Sequence, residues 1–221
     1  MQAKQYYPIF ADLNGRPCLV VGGGLVAQRK VSTLLMYGAR VTVVSPAVTR
    51  KLARHAKTGR IRHVARRVRP ADVAGAWLVY AATDDPAINR QVYRAAVKRR
   101  VFANVVDQTP LCTFIAPAIV RQGALAAAVS TGGASPSLAK AVRDDLRRIL
   151  KRYAPVVGLL RSLRGVAKRS MPKYGDRKRY FDRLVRSRAT MLARSGRSRD
   201  ARRVALALLR RDARNGAGKR A

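Results

Sequence analysis

Residues 17–27 read Pro-Cys-Leu-Val-Val-Gly-Gly-Gly-Leu-Val-Ala. A short β-branched run passes through three glycines into a segment with apolar residues at helical spacing. A strand that turns directly into a helix through glycines is the opening of a doubly wound α/β unit. The segment fits G-x-G-x-x-A, the dinucleotide fingerprint. Gly22 permits the tight turn, Gly24 lets backbone approach a pyrophosphate, and Ala27 lets the helix pack close to the strand. Gly23, Leu25 and Val26 complete the loop, whose free N–H groups at the helix start attract anionic phosphate. A glycine turn without a ligand is the plainer alternative.

The rest of the first half repeats the alternation. Leu25–Tyr37 reads as a helix with Val26, the Lys30 stem and Leu34 on one stripe, stopped by Gly38. Arg40–Val44 is a second strand, and Ser45-Pro46 opens a second helix running to about Lys57. Ile61–Ala65, Ala76–Ala82 and Val101–Val106 follow as strands, with a helix from Pro86 to about Arg100. Leu125–Val129 is a sixth strand or extended segment. This spacing predicts a Rossmann-like, doubly wound parallel sheet. Beyond Gly133 the pattern is purely helical. Leu138, Val142, Leu146, Ile149 and Leu150 form one stripe, and Pro155, Gly165, Pro172, Gly175 and Gly196 punctuate further helices. The expected divisions are a dinucleotide-binding domain over 1–113, a segment with extended strand and helix over 114–150, a helical domain over 151–214, and a frayed end over 215–221.

Charge narrows the partners. Lys and Arg number 47 against 11 acidic residues, a net +36 over 221 residues. The excess is denser beyond residue 139, yet the first part is basic too. Such a field draws anions, whether nucleic acid, an acidic surface or a polycarboxylate or phosphate ligand. Arginines merely spread over solvated faces are the bland reading. Hydrophobic residues make up 48%, too many for a disordered basic tail. Every acidic residue is Asp, which excludes a Glu acid/base pair, a HExxH zinc site and an EF-hand. Two cysteines and two histidines without CxxC or HxxxH spacing predict no protein metal site and no disulfide framework. His55 and His63 read as surface residues. No apolar run reaches membrane-spanning length and the N-terminus lacks a leader pattern, so a cytoplasmic protein is expected.

Three further motifs carry chemistry. Ala81-Ala82-Thr83-Asp84-Asp85 follows the fourth strand, and carboxyl ends of parallel strands face the ligand crevice. Thr83 could meet the nicotinamide half of a cofactor, or Thr83, Asp84 or Asp85 could simply cap the next helix. Asn104-Val105-Val106-Asp107 ends the fifth strand. Asp107 is the only carboxylate between Asp85 and Asp144 and suits a base taking a proton from substrate N–H or C–H; a loop aspartate bonded to backbone is the alternative. Ser130-Thr131-Gly132-Gly133-Ala134-Ser135-Pro136 precedes a helix N-terminus and forms either an anion cradle or a structural cap. The acidic residue that usually ends the second strand to bind ribose is missing. Ser45 could bond a hydroxyl, and Arg40 or Arg50 could reach a phosphate, which leaves NAD and NADP both open.

Together VVGGGLVAQRK (20–30), AATDD (81–85), NVVD (104–107), FIAPAIV (114–120) and AVSTGGASP (128–136) resemble the precorrin-2 dehydrogenase/sirohydrochlorin ferrochelatase family of siroheme synthesis. The resemblance extends through Tyr174–Phe181 to about residue 210. It implies NAD-dependent oxidation of precorrin-2 to sirohydrochlorin, often followed by Fe²⁺ insertion at the same site, with the iron as substrate. Gly22 to Val26 and the Ser45-Pro46-Ala47 turn would hold the dinucleotide with Thr83 and Asn104. Asp107 would be the catalytic carboxylate, and Ser130, Thr131, Gly132, Gly133 and Ser135 would bind substrate. It also implies a homodimer interlocked after about residue 115. Multifunctional members add a methyltransferase domain, which this chain is expected to lack. A substrate with eight carboxylates accords with the basic field. Three other readings stand beside it: a dehydrogenase or chelatase alone; a dehydrogenase for some other acidic metabolite, which rests on the sheet alone and loses the FIAPAIV and STGGASP matches; and a dinucleotide-sensing regulator with its basic tail on nucleic acid. The tail carries no recognisable helix-turn-helix or RNA-binding signature, which disfavours the regulator.

Overall fold

The computed structural model describes residues 5–217, with side chains described to Arg214. The chain divides into two compact units at Ala116/Pro117, three residues beyond the expected boundary.

The first unit is a five-stranded parallel sheet of order β3-β2-β1-β4-β5. Its strands are β1 (Pro17–Val21), β2 (Arg40–Val44), β3 (Ile61–Val64), β4 (Leu78–Ala81) and β5 (Phe102–Val105). Helices α1 (Leu25–Met36), α2 (Arg50–Lys57) and α3 (Pro86–Lys98) connect them. Because side chains alternate along a strand, β1 sends Cys18 and Val20 to the face packed by Ala27, Val31, Leu34 and Leu52 of α1 and α2. Leu19 and Val21 go to the face packed by Val92, Ala95 and Ala96 of α3 and by Val73 of the 3₁₀ turn Pro70–Val73. Helices on both faces bury the centre of the sheet, as the unbroken apolar run of β4 requires. The strand order reverses between β1 and β4, so ligands belong in the crevice beyond the carboxyl ends of those two strands.

One helix start differs from expectation. Ser45-Pro46 does not open α2. Thr49 caps it instead, its Oγ1 accepting the Leu52 N–H at 3.3 Å. Ser45 has its own backbone N–H on Val64 O, which holds it at the end of the sheet.

The second unit opens with an antiparallel hairpin of β6 (Ala118–Gln122) and β7 (Leu125–Val129). The extended strand expected at Leu125–Val129 thus pairs with β6 in a sheet of its own and not with the main sheet, and the elements after it are helical, as expected beyond Gly133. Helices α4 (Pro136–Ser170), α5 (Tyr174–Val185), α6 (Arg188–Arg194) and α7 (Ser198–Ala217) follow. The expected break at 150/151 is absent: α4 runs 35 residues, straight through Pro155 and Gly165. Pro155 removes one hydrogen bond, but Val156, Leu159, Leu163 and Ala167 anchor that half of α4 in the core with Tyr180, Leu184, Leu192, Ala205 and Leu209. Tyr180 donates its hydroxyl to Ala205 O at 3.0 Å. The first half of α4 packs on the hairpin and leaves Leu138, Val142, Ile149 and Tyr153 in water. Fraying was expected from Asn215; α7 continues to Ala217, and residues 218–221 lie outside the described part.

Candidate active site

The glycine loop sits at the switch point. Gly22 has φ +112° and lies so close to the strand-end of β4 that an added Cβ would stand 2.2 Å from Ala82 O. At Gly23 a Cβ would stand 1.8 Å from Ala47 O, so this glycine is needed for packing against the turn after β2. Nothing lies within 4 Å of a Cβ on Gly24. Gly24 caps α1 without a side-chain hydrogen bond, and the first turn holds no acidic residue. The amides of Leu25 and Val26 thus meet open space at the positive end of a helix dipole. Leu25 is 70% exposed. That cradle fits a dinucleotide pyrophosphate.

The Ser45–Thr49 turn is fastened to the loop. Thr49 N–H donates to Gly23 O at 3.0 Å, and Thr49 Oγ1 donates to Gln28 Oε1 at 2.7 Å. Ser45 Oγ donates to Ala47 O at 2.7 Å and the residue is 9% exposed. Its hydroxyl therefore builds the turn through Pro46 to Ala47, leaving backbone rather than side chain to meet a ribose. Arg40 starts β2 and so lies at the opposite strand end from the crevice; Arg50 begins α2 just past the turn. His63 is half-buried, not a free surface residue, with Nε2 2.9 Å from Ser45 O.

Thr83 is held by a residue that the sequence pattern gave no reason to select. Asn89 on α3, 4% exposed, accepts the Thr83 hydroxyl at 2.8 Å through Oδ1 and donates from Nδ2 to Thr83 O at 2.9 Å. Asp85 is the α3 cap, accepting the N–H groups of Ala87 at 2.8 Å and Ile88 at 3.2 Å. Asp84 is exposed.

Asn104 is buried and structural in its contacts. Its Nδ2 donates to Phe114 O at 3.0 Å and approaches Cys112 Sγ at 3.6 Å. This ties the loop after β5 back to the sheet, where Phe114 meets Tyr80 edge-on at 5.3 Å. Burial pushes the Tyr80 phenol up to about 12. On that loop Asp107 adopts φ +58° and is exposed. Asp tolerates this left-handed conformation better than most residues. Among the described residues its carboxylate has no hydrogen-bond or ion-pair partner, unlike Asp72, Asp85 or Asp212. Lys30, half-buried on α1, interacts electrostatically with it.

Ser130–Ser135 belong to the second unit. Ser130 Oγ accepts Gly132 N–H at 3.1 Å, and Thr131 Oγ1 accepts Ser135 N–H at 3.0 Å. Ser135 Oγ caps α4 by accepting Leu138 N–H at 3.1 Å. Gly132 and Gly133 both have positive φ. The hydroxyl oxygens thus shape a helix cap. Among the described residues no three of His, Cys, Asp and Glu gather into a metal site.

Comparison with known proteins matches these two units separately. A family model described as putative NAD(P)-binding covers residues 9–118, and one described as the sirohaem synthase dimerisation region covers residues 152–209. The chain belongs with the N-terminal part of the siroheme synthases. It is 52% identical over 143 residues to the siroheme synthase of Methylobacillus flagellatus, covering 65% of this chain and 31% of that protein. It is 42% identical over 198 residues to that of Thioalkalivibrio sulfidiphilus, covering 89% and 40%. The chain thus spans less than half the length of these relatives. The solved structure of SirC, precorrin-2 dehydrogenase, matches over 93% of this chain and 100% of that one, with TM-score 0.77 and 26% identity. Within the family frame, the Rossmann-like unit is a nicotinamide-dinucleotide domain. Among the described residues no helix is long and apolar enough to cross a membrane.

Proposed function

We propose that the chain oxidises precorrin-2 to sirohydrochlorin with NAD in siroheme synthesis, at a site where Asp107 is the catalytic base. The observation that carries this reading is the unpartnered, exposed Asp107 carboxylate on the loop after β5, in a unit whose glycine loop leaves its helix amides open. Likeness to SirC, precorrin-2 dehydrogenase, supports the choice of substrate.

Gly22, Gly23, Gly24, Leu25 and Val26, with the Ser45-Pro46-Ala47 backbone, would hold the dinucleotide, and Thr83, fixed by Asn89, would border its nicotinamide half. When bound, the dinucleotide accepts a hydride from the macrocycle. Asp107 removes the proton that must leave with that hydride, so two electrons and one proton go separate ways. Its lack of a competing partner leaves both carboxylate oxygens available. Asn104 acts at one remove, holding the loop that bears Asp107. Of the two arginines that could meet a 2′-phosphate, Arg40 lies at the far strand end, whereas Arg50 begins α2 just past the turn.

Two finer assignments complete the proposal. The same carboxylate relays the two pyrrole protons displaced when substrate Fe²⁺ enters sirohydrochlorin; the macrocycle supplies four nitrogens, so the reaction requires no protein metal cage. The Ser130–Ser135 turn takes part in substrate binding, on the strength of the backbone freed by Gly132 and Gly133 at the start of α4. A homodimer is supported by the dimerisation-region match and by the exposed apolar stripe Leu138, Val142, Ile149 and Tyr153 on α4. A cytoplasmic location accords with the two free, buried cysteines, Cys18 and Cys112.

The test is anaerobic incubation with precorrin-2 and NAD, following NADH and the macrocycle spectrum, with Fe²⁺ added afterwards. Equal yields of NADH and sirohydrochlorin are expected, then iron insertion faster than the uncatalysed rate. Tetrapyrrole binding without NADH formation would leave a chelatase; no tetrapyrrole binding would refute the reading.

A further inference from the structure

Lys30 is out of place on its helix. Val26, Lys30 and Leu34 share one stripe of α1, with Ala27 and Val31 beside them buried against the sheet. A lysine on that stripe has its stem and part of its head withdrawn from water, at a cost to the charged form. The Nζ atom stands 5.0 Å from the centre of the Tyr80 ring, which faces it from β4. Cation–π attraction holds the head in place but satisfies none of its N–H donors by hydrogen bonding. Among the described residues no carboxylate or carbonyl takes a hydrogen bond or ion pair from it. The charged and titratable groups facing it are Arg29 on its own helix, Asp107 and Cys112 on the loop after β5, and the Tyr80 phenol. Asp107 attracts it without closing an ion pair.

We propose that Lys30 receives a carboxylate of the substrate on the Asp107 side of α1 and so anchors the macrocycle in the ground state. This rests on the dehydrogenase reading above and adds a specificity-determining residue to it. An anionic group is the ligand that such a cation lacks, and the proposed substrate has carboxylates around its whole periphery. Asp107 cannot serve both as the permanent partner of Lys30 and as the base. A ligand carboxylate satisfies the ammonium and leaves Asp107 to take the proton. The dinucleotide pyrophosphate is the less fitting occupant, because its cradle is the first turn of α1 and Lys30 lies in the second.

The experiment compares wild type, Lys30→Met and Lys30→Arg as full-length protein. Met keeps an unbranched stem over Tyr80 and removes the charge; Arg keeps the charge. Three readouts are taken: sirohydrochlorin affinity by fluorescence quenching, NADH affinity by its own fluorescence, and steady-state oxidation of precorrin-2. The expected result for Lys30→Met is roughly a tenfold weaker sirohydrochlorin affinity and a matching rise in KM. NADH affinity and kcat stay near wild type, and Lys30→Arg recovers most of the loss. Unchanged sirohydrochlorin affinity in Lys30→Met overturns the proposal. So does a loss of NADH affinity, which would place Lys30 on the cofactor. A fall in kcat with a displaced acid limb and unchanged KM overturns it too, because Lys30 would then act through Asp107. Failure of the wild type itself to bind sirohydrochlorin or oxidise precorrin-2 would instead overturn the functional reading, and this proposal with it.

Discussion

Gly22 and Ala82 meet at the point where the strand order reverses: a Cβ on Gly22 would come 2.2 Å from the Ala82 carbonyl oxygen. The contact joins the ends of β1 and β4 and fixes where the crevice opens. Gly24, two residues on, faces empty space. The three glycines therefore divide the work between folding and binding.

Gly22→Ala should lower stability by several kcal/mol, since the backbone there is both strained for an L residue and in collision with main chain. Gly24→Ala should melt within a few degrees of wild type yet lose roughly tenfold or more in NADH affinity, as its methyl occupies the cradle. Thermal melts paired with NADH fluorescence titration separate the two. Equal stability loss in both variants would remove the distinction.

The two adjacent aspartates after β4 should behave differently. Asp85 accepts two N–H groups at the start of α3, so Asp85→Ala should cost about 1 kcal/mol. Exposed Asp84 should be replaceable by Ala with a change under about 0.5 kcal/mol. Urea melts monitored by circular dichroism measure both.

What the sequence revealed and what it hid follow from the range of the forces involved. The strand–glycine–helix turn and the parallel, doubly wound character of the sheet were legible because burial on both faces writes itself into unbroken apolar runs such as that of β4. The start of α2 was not, because Ser45-Pro46 is a good local helix opening; the bonds from Ser45 to Val64 O and Ala47 O and from Thr49 to Gly23 O hold this stretch as a turn. Pro155 read as a breaker because its local penalty is visible, whereas the core that outweighs it comes from three other helices. β6 was missed because Ala118–Gln122 follows Pro117 directly and offers only Ile119 and Val120 as strand formers; pairing with β7 supplies the rest. In the site, Asp107 stood out as an isolated carboxylate. Asn89 did not, because a helix asparagine gives no sign that it will fold back onto Thr83. Lys30 did leave a sign, a charge on an otherwise apolar stripe, but its stem fits the stripe as well as an apolar residue does.

Lys30 also sets a stability signature. Burial, and then the neighbouring Arg29, hold its ammonium below the usual lysine value. The unfolded chain, near the reference of about 10.4, therefore binds that proton more tightly than the folded one. Stability contributed by this group rises as pH increases through the folded-state value and levels off above the unfolded value. Lys30→Met should be as stable as wild type or a few degrees more so at neutral pH. The gap should shrink as pH climbs towards that of the unfolded lysine. Melting temperatures measured from pH 7 to 10.5 would show the convergence; a gap that widens with pH would contradict it.

In the second unit Asp212 is 3% exposed at its side chain and lies 2.6 Å from Arg183. Neither of its oxygens has a hydrogen bond within the described residues. Arg183→Met would strand a buried carboxylate and should cost about 2 kcal/mol or more, with the half-exposed arginine keeping the loss below that of a fully buried pair. Asp212→Asn in the same background should recover part of it. A double-mutant cycle by urea denaturation measures the coupling.

The central claim concerns Asp107, and Asp107→Asn tests it most directly. Asparagine adopts the same left-handed backbone and keeps the shape while removing the base. The variant should melt like wild type, bind NADH and sirohydrochlorin with unchanged affinity, and form NADH from precorrin-2 at least about 100-fold more slowly. NADH formation at the wild-type rate in a folded, ligand-binding Asp107→Asn protein would show that the proton leaves by another route.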